Sequence, residues 1–193
     1  MNLNVVRAVD KWAGIPACFI FSLVHTIRSR VKNTRQCDQA PQRPPTKILF
    51  VELSEMGSVI LAYPALRYAL DTYADAELYF LVFEQNRPCV DSLGLISPDR
   101  VITIDMGSPL RFLWSTCRAV KAIRAAGIDT VFDLELFSRF SSLLSGLSGA
   151  HRRVGYRTYC EEGLYRGSFM THPVFYNCHQ HMTKNFLAMT KAI

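Results

Sequence analysis

Between Val51 and Leu66 the chain reads V-E-L-S-E-M-G-S-V-I-L-A-Y-P-A-L. Ser54, Glu55, Gly57 and Ser58 fall between an apolar run and a helical pattern. Gly57 allows close backbone approach at such a turn. Ser58 is expected to cap the helix that follows. That helix terminus favours an anion, or a developing oxyanion, in front of it. Pro64 lies inside the helical pattern and is expected to kink it or shift its start. A second group, His172, Cys178, His179 and His181, has metal-ligating side chains, but its spacing fits no zinc pattern. These residues read as a solvated loop, and no metal is expected.

The elements that must position these residues alternate. KILFVEL (47–53) is a continuous apolar run, as in a buried parallel strand. A helix is expected from Ser58 to Tyr73. Strands follow at 77–83 and 100–105, then a basic amphipathic helix over 110–126 stopped by Gly127. A strand over 129–135, a short helix over 138–149, a strand over 152–156 and a last helix from Met182 complete the pattern. Alternation of this kind predicts an α/β fold with a doubly wound, mostly parallel Rossmann-like sheet. Ligands of such sheets bind at the carboxyl ends of the strands, here loops 54–58, 84–88 and 135–139.

The chain has 193 residues, enough for one domain of ordinary size. With 49% hydrophobic and 20% charged residues, it is globular rather than disordered or fibrous. Its net charge of +6 attracts anions without choosing among them. The six cysteines form no C-x-x-C pair and are too sparse for a disulfide scaffold. They read as reduced, mostly buried thiols of a cytosolic protein. No G-x-G-x-x-G, P-loop or G-x-S-x-G is present. Arg111, Arg118, Lys121 and Arg124 on the 110–126 helix read as a solvated face, and no nucleic-acid partner is expected.

The mean hydropathy of +0.09 is partly due to the amino-terminal segment. Residues 12–27, WAGIPACFIFSLVHTI, are apolar and flanked by Arg7 and Lys11 before and Arg28, Arg30 and Lys32 after. The run falls short of the roughly 20 apolar residues of a spanning helix. Residues 1–32 are expected to form an apolar, basic helix, either at an anionic membrane surface with Trp12 at the interface or packed on the domain. Residues 33–46 hold Pro41, Pro44 and Pro45 and read as a stiff linker, so the globular body starts near Lys47.

Four stretches, in order, resemble glycosyltransferase family 9, the ADP-heptose:lipopolysaccharide heptosyltransferases. Ser54-Glu55-Met56-Gly57-Ser58 resembles the family's S-x-M/L-G-D loop, and Pro64-Ala65-Leu66 its P-A-L helix. Residues 127–135 (GIDTVFDLE), 147–156 (LSGAHRRVGY) and His181 with Phe186–Met189 resemble three further family segments. Together they cover about 47–193.

The resemblance implies the amino-terminal half of a GT-B fold, which receives a lipid-linked glycan acceptor. The nucleotide-sugar donor would bind a second domain that this sequence lacks, so the isolated chain is expected to be inactive. The implied setting is lipopolysaccharide or related surface-glycan synthesis at the cytoplasmic face of the inner membrane, with no cofactor. The family's loop Asp, the general base, is Ser58 here. A serine hydroxyl does not accept that proton unaided. Glu55 is therefore the candidate base, the alternative being a solvated loop residue with a different mechanism or no catalysis. Ser54, Met56 and Gly57 are expected at the substrate. Glu135 is expected to bind an acceptor hydroxyl or pair with Arg139 or another base. Arg152 and Arg153 are expected either to meet acceptor acids or to form a surface pair.

Overall fold

The computed structural model describes residues 14–33, 43–136, 138–156 and 165–193, with side chains of 24–33 excepted. Arg7, Lys11, Trp12, Cys37, Cys160 and most of the proposed linker lie outside the described residues, as do the side chains of Arg28, Arg30 and Lys32.

Six strands form one sheet: β1 (Lys47–Val51), β2 (Glu77–Phe83), β3 (Val101–Ile104), β4 (Thr130–Asp133), β5 (Arg152–Tyr156) and β6 (His172–Val174). Their spatial order is β3-β2-β1-β4-β5-β6, and every pairing is parallel. The expected doubly wound sheet is thus present and wholly parallel. The order reverses direction between β1 and β4, which are neighbours with Ile48 opposite Thr130 and Val51 opposite Asp133. A crevice at the carboxyl ends of these two strands is where doubly wound sheets take ligands.

Seven helices are described: α1 (Gly14–Asn33), α2 (Met56–Leu61), α3 (Tyr63–Thr72), α4 (Arg87–Leu93), α5 (Pro109–Ala126), α6 (Arg139–Leu147) and α7 (Met182–Thr190). Both faces of the sheet are covered, which explains its unbroken apolar strands. One face packs Ile48, Phe50, Phe80, Val82 and Phe132 against Val59, Leu66, Val90, Phe186 and Met189 from α2, α3, α4 and α7. Phe50 and Phe132 stack across β1 and β4 with ring centres 5.0 Å apart. The other face packs Leu49, Val51, Leu81, Ile104 and Val131 against Ala119 and Ile123 of α5 and Leu144 of α6.

Four expectations are corrected. The helix expected over 58–73 is two helices. Pro64 sits in the first turn of α3, where its missing N–H costs nothing, and it restarts the helix rather than bending it. Helix α4 and strand β6 were not expected. Each is short, and Pro88 and Pro173 mask the periodicity that would reveal them. The cysteines are not mostly buried: of the four described, Cys18 is buried and Cys89 half-buried, whereas Cys117 and Cys178 are exposed. The 84–88 loop is a helical turn leading into α4 rather than an open connection.

Helix α1 is docked along one face. Its Cys18 and Ser22 are buried, the Phe21 ring meets Phe169 edge-on at 5.3 Å, and the Ser22 hydroxyl accepts from the Ser168 amide at 3.1 Å. The opposite face exposes Ile15, Phe19, Ile20 and Leu23. Among the described residues no helix is long and apolar enough to cross a membrane.

Candidate functional site

The sharp turn from β1 into α2 is fixed by two side chains from neighbouring loops. Glu135, just past β4, accepts through one oxygen from the amides of Leu53 and Ser54, both at 2.9 Å, and from the Ser54 hydroxyl at 2.8 Å. Asn86, at the entry to α4, donates to the Leu53 carbonyl at 2.9 Å. Both residues are buried. Backbone groups that leave the sheet at Leu53 and Ser54 therefore find partners without water.

Ser54, Glu55, Met56 and Gly57 stand exposed as a lip on this edge, whereas Ser58 is buried. Glu55 occupies the position before α2 in extended backbone, and its side chain makes no capping hydrogen bond. Instead the Ser58 hydroxyl donates to the Glu55 carboxylate at 3.1 Å. Ser58 is therefore not the cap expected from the sequence. It lies within the first turn and orients Glu55. A Cβ on Gly57 would meet nothing within 4 Å, so the space over the lip is open. Helix α2 has six residues, and no side chain caps its start.

Beneath the lip lies a layer of carboxylates. Glu52 is 3% exposed, and burial beside Glu135 pushes its carboxyl up to about 9, so it carries a proton at neutral pH. Asp133 is fully buried. Burial raises its carboxyl to about 6, although Arg166 donates to it at 2.8 Å and the Ser141 hydroxyl at 3.2 Å. Arg166 also donates from Nε to the Ser138 carbonyl at 2.9 Å, which ties the segment before β6 to the start of α6. The edge thus joins a neutral acid, an ion pair and an exposed carboxylate. Such a set can accept hydroxyl hydrogen bonds at the lip, where Glu55 is the exposed acidic side chain.

The structure brings Ser54, Glu55, Met56, Gly57, Ser58 and Glu135 to one edge. It does not bring Arg152 and Arg153 there, and that expectation is corrected. Both begin β5 in register with Thr130 and Val131, at the amino end of the parallel sheet. Arg153 donates to the Phe169 carbonyl at 2.7 Å and to the Ala150 carbonyl. Arg139 does not pair with Glu135 but donates to the Tyr165 carbonyl at 2.9 Å. Residues not singled out from the sequence are Glu52, Asn86, Asp133 and Arg166. An acid inside the apolar run 47–53 was a visible signal for Glu52. Arg166 had none, being 33 residues from Asp133.

His181 caps α7, its ring nitrogen facing the Thr183 amide at 3.3 Å, and His172 meets the Thr171 hydroxyl at 2.9 Å. Among the described residues no group of three or more His, Cys, Asp or Glu is placed to hold a metal ion.

No family model and no curated protein sequence matches the chain. Its fold does match solved structures. Escherichia coli heptosyltransferase WaaC with ADP-2-deoxy-2-fluoro heptose superposes with a TM-score of 0.62 at 19% identity, covering 75% of this chain and 47% of that one. A glycosyl transferase of family 9 from Veillonella parvula gives 0.65 at 17% identity, with 76% and 40% covered. E. coli ADP-heptose lps heptosyltransferase II gives 0.60 at 18%, with 75% and 40% covered. The chain therefore has a family 9, heptosyltransferase-like fold, and it spans less than half the length of each of these structures.

Proposed function

We propose that this chain, which has the fold of the family 9 glycosyltransferases, is the acceptor-binding half of such an enzyme. Its reaction moves a sugar from a nucleotide-sugar donor to a hydroxyl of a lipid-linked glycan, in lipopolysaccharide or related surface-glycan synthesis. The observation that carries the reading is the lip Ser54–Gly57, held by Glu135 and Asn86 at the switch between β1 and β4. Glu55 takes the acceptor proton as that oxygen attacks the anomeric carbon, and the nucleoside diphosphate leaves from a second domain. Ser58 orients the base through its hydroxyl. Ser54, Met56 and Gly57 border the acceptor. Glu135 serves chiefly to hold the loop, since one of its oxygens is already taken by three donors. No metal or cofactor is required in this scheme.

The exposed face of α1 suits a cytoplasmic enzyme held peripherally at the inner membrane, where such acceptors reside. A second reading, a degenerate binder of glycolipids without turnover, is favoured by one observation: the family's loop Asp is replaced by Ser58, which is buried and hydrogen-bonded to Glu55.

The test uses protein purified as its native cells produce it, with its intact mass measured first. Transfer from a panel of nucleotide sugars onto extracted glycolipid is then followed. Glu55→Gln is expected to lower kcat by about 100-fold or more while acceptor affinity holds, as for loss of a general base. Acceptor binding with no turnover in either form would establish the second reading.

A further inference from the structure

Helix α5 carries an amphipathic gradient that its packing does not use. Phe112 turns inward, its ring 5.1 Å from that of Phe140, and Ser115, Ala119 and Ile123 face the sheet. Leu110, Leu113 and Trp114 are left 82%, 62% and 65% exposed on the first turns. Spacings of three and four residues put these side chains in one patch. Arg118, Lys121 and Arg124 follow along the same helix, all exposed, with Arg111 beside the patch. The segment Pro109–Ala126 contains no acidic residue. The Arg118 guanidinium lies over the Trp114 ring at 5.1 Å.

The first turn of α5 follows β3 and so stands on the same carboxyl edge of the sheet as Ser54–Ser58. Trp114 and Lys121 are two turns apart, about 10 Å along the axis. Standing on its first turn, the helix would bury its apolar end by a depth of about 5–10 Å and leave Lys121 at the level of the phosphates. Three such side chains expose on the order of 300–400 Å², about half of what one partner of a standard protein interface buries. A surface whose apolar end is flanked by Arg111 and whose other end carries only cations is complementary to an anionic bilayer.

We propose that the first turn of α5 inserts Leu110, Leu113 and Trp114 into an anionic lipid bilayer, with Arg118 and Lys121 at its phosphates. The contact is separate from that of α1 and turns the Ser54–Ser58 edge toward the bilayer. It rests on the surface of α5 and does not require the transferase reading.

The experiment is flotation of the full chain with vesicles of phosphatidylcholine, with and without about 30% phosphatidylglycerol. No donor sugar is present, so a failed transfer assay leaves the result intact. The wild type is expected to float with the anionic vesicles and to be released by salt. Leu110→Ser/Leu113→Ser/Trp114→Ser and Arg118→Gln/Lys121→Gln are each expected to bind about tenfold more weakly. The replaced side chains are exposed, so circular dichroism should be unchanged. In a Trp12→Phe background, Trp114 emission should shift to the blue and be quenched by brominated lipid. Unchanged flotation of both variants, or Trp114 emission indifferent to vesicles, overturns the proposal. So does a triple variant that only dissociates a dimer, which would assign the patch to a second copy of the chain.

Discussion

The carboxylate of Glu135 accepts both the amide and the hydroxyl of Ser54, at 2.9 and 2.8 Å, across 81 residues of sequence. This contact joins the loop after β4 to the loop after β1. Glu135→Ala is expected to cost about 2 kcal/mol in urea unfolding, because the Leu53 and Ser54 amides lose their acceptor. Faster hydrogen exchange at those two amides would show that the loss is local. Glu135→Gln keeps an acceptor oxygen and should cost about half as much.

Glu52 supplies a pH signature. Its folded-state carboxyl lies near 9 against 4.5 for the unconstrained group. The folded chain therefore holds a proton that the unfolded chain has lost across that window. Stability should fall by about 1.4 kcal/mol per pH unit from this group as pH rises through it, and level off above. Glu52→Gln should remove this slope, leaving stability at pH 4.5 little changed and raising it in alkali. Urea titrations of both forms across the window check the sign. Glu135→Gln should also lower the Glu52 titration, since the charge of Glu135 helps to raise it.

Arg166 and Asp133 form a buried ion pair at 2.8 Å with 3% and 0% of their side chains exposed. Arg166→Met leaves Asp133 buried without its cation, a change that typically costs about 3–5 kcal/mol. The Asp133 carboxyl, near 6 with Arg166 present, should move higher. The loss is then smallest in acid, where the carboxyl takes up a proton, and grows as pH passes 6. Thermal melts of both forms on either side of that pH test the trend.

Gly146 of α6 is the close-approach point for α1. A Cβ there would come within 2.9 Å of the Phe21 ring and 3.4 Å of Phe169. Gly146→Leu should overpack this seam and destabilise by about 1–3 kcal/mol. Limited proteolysis should then cut within α1 earlier than within the sheet. Uniform sensitivity of sheet and α1 would show that the seam is not the site of the damage.

Much of the sheet was legible because burial on both faces demands continuous apolar strands, as in KILFV and ELYFLVF. Helices α5 and α6 were legible from periodicity and from Gly127 and Gly149 at their ends, both at positive φ. Strand β6 and helix α4 were not, since three and seven residues broken by proline carry no period. The lip was legible as a motif, because Ser54, Glu55, Met56 and Gly57 are contiguous. Of its partners, Glu135 was legible as a carboxylate on the same edge but not as the holder of the loop, and Asn86 only as a member of the 84–88 loop.

Local pattern by itself determined the alternating elements and the turn after β1, because each is written within a few neighbouring residues, and four such stretches in order gave the expectation of a family 9 fold. The tertiary structure alone decided that Glu135 holds the loop, that Glu52 keeps its proton, that Arg166 neutralises Asp133 and that Arg153 serves the backbone. Each of those roles depends on distance, burial and charge across many residues of chain. Arg152 and Arg153 make the point most directly. The strand expected over 152–156 already begins with them, and the sequence left open only whether that strand runs parallel to its neighbours. The parallel direction of β5 within the sheet puts its first residues at the amino edge and turns them away from the site.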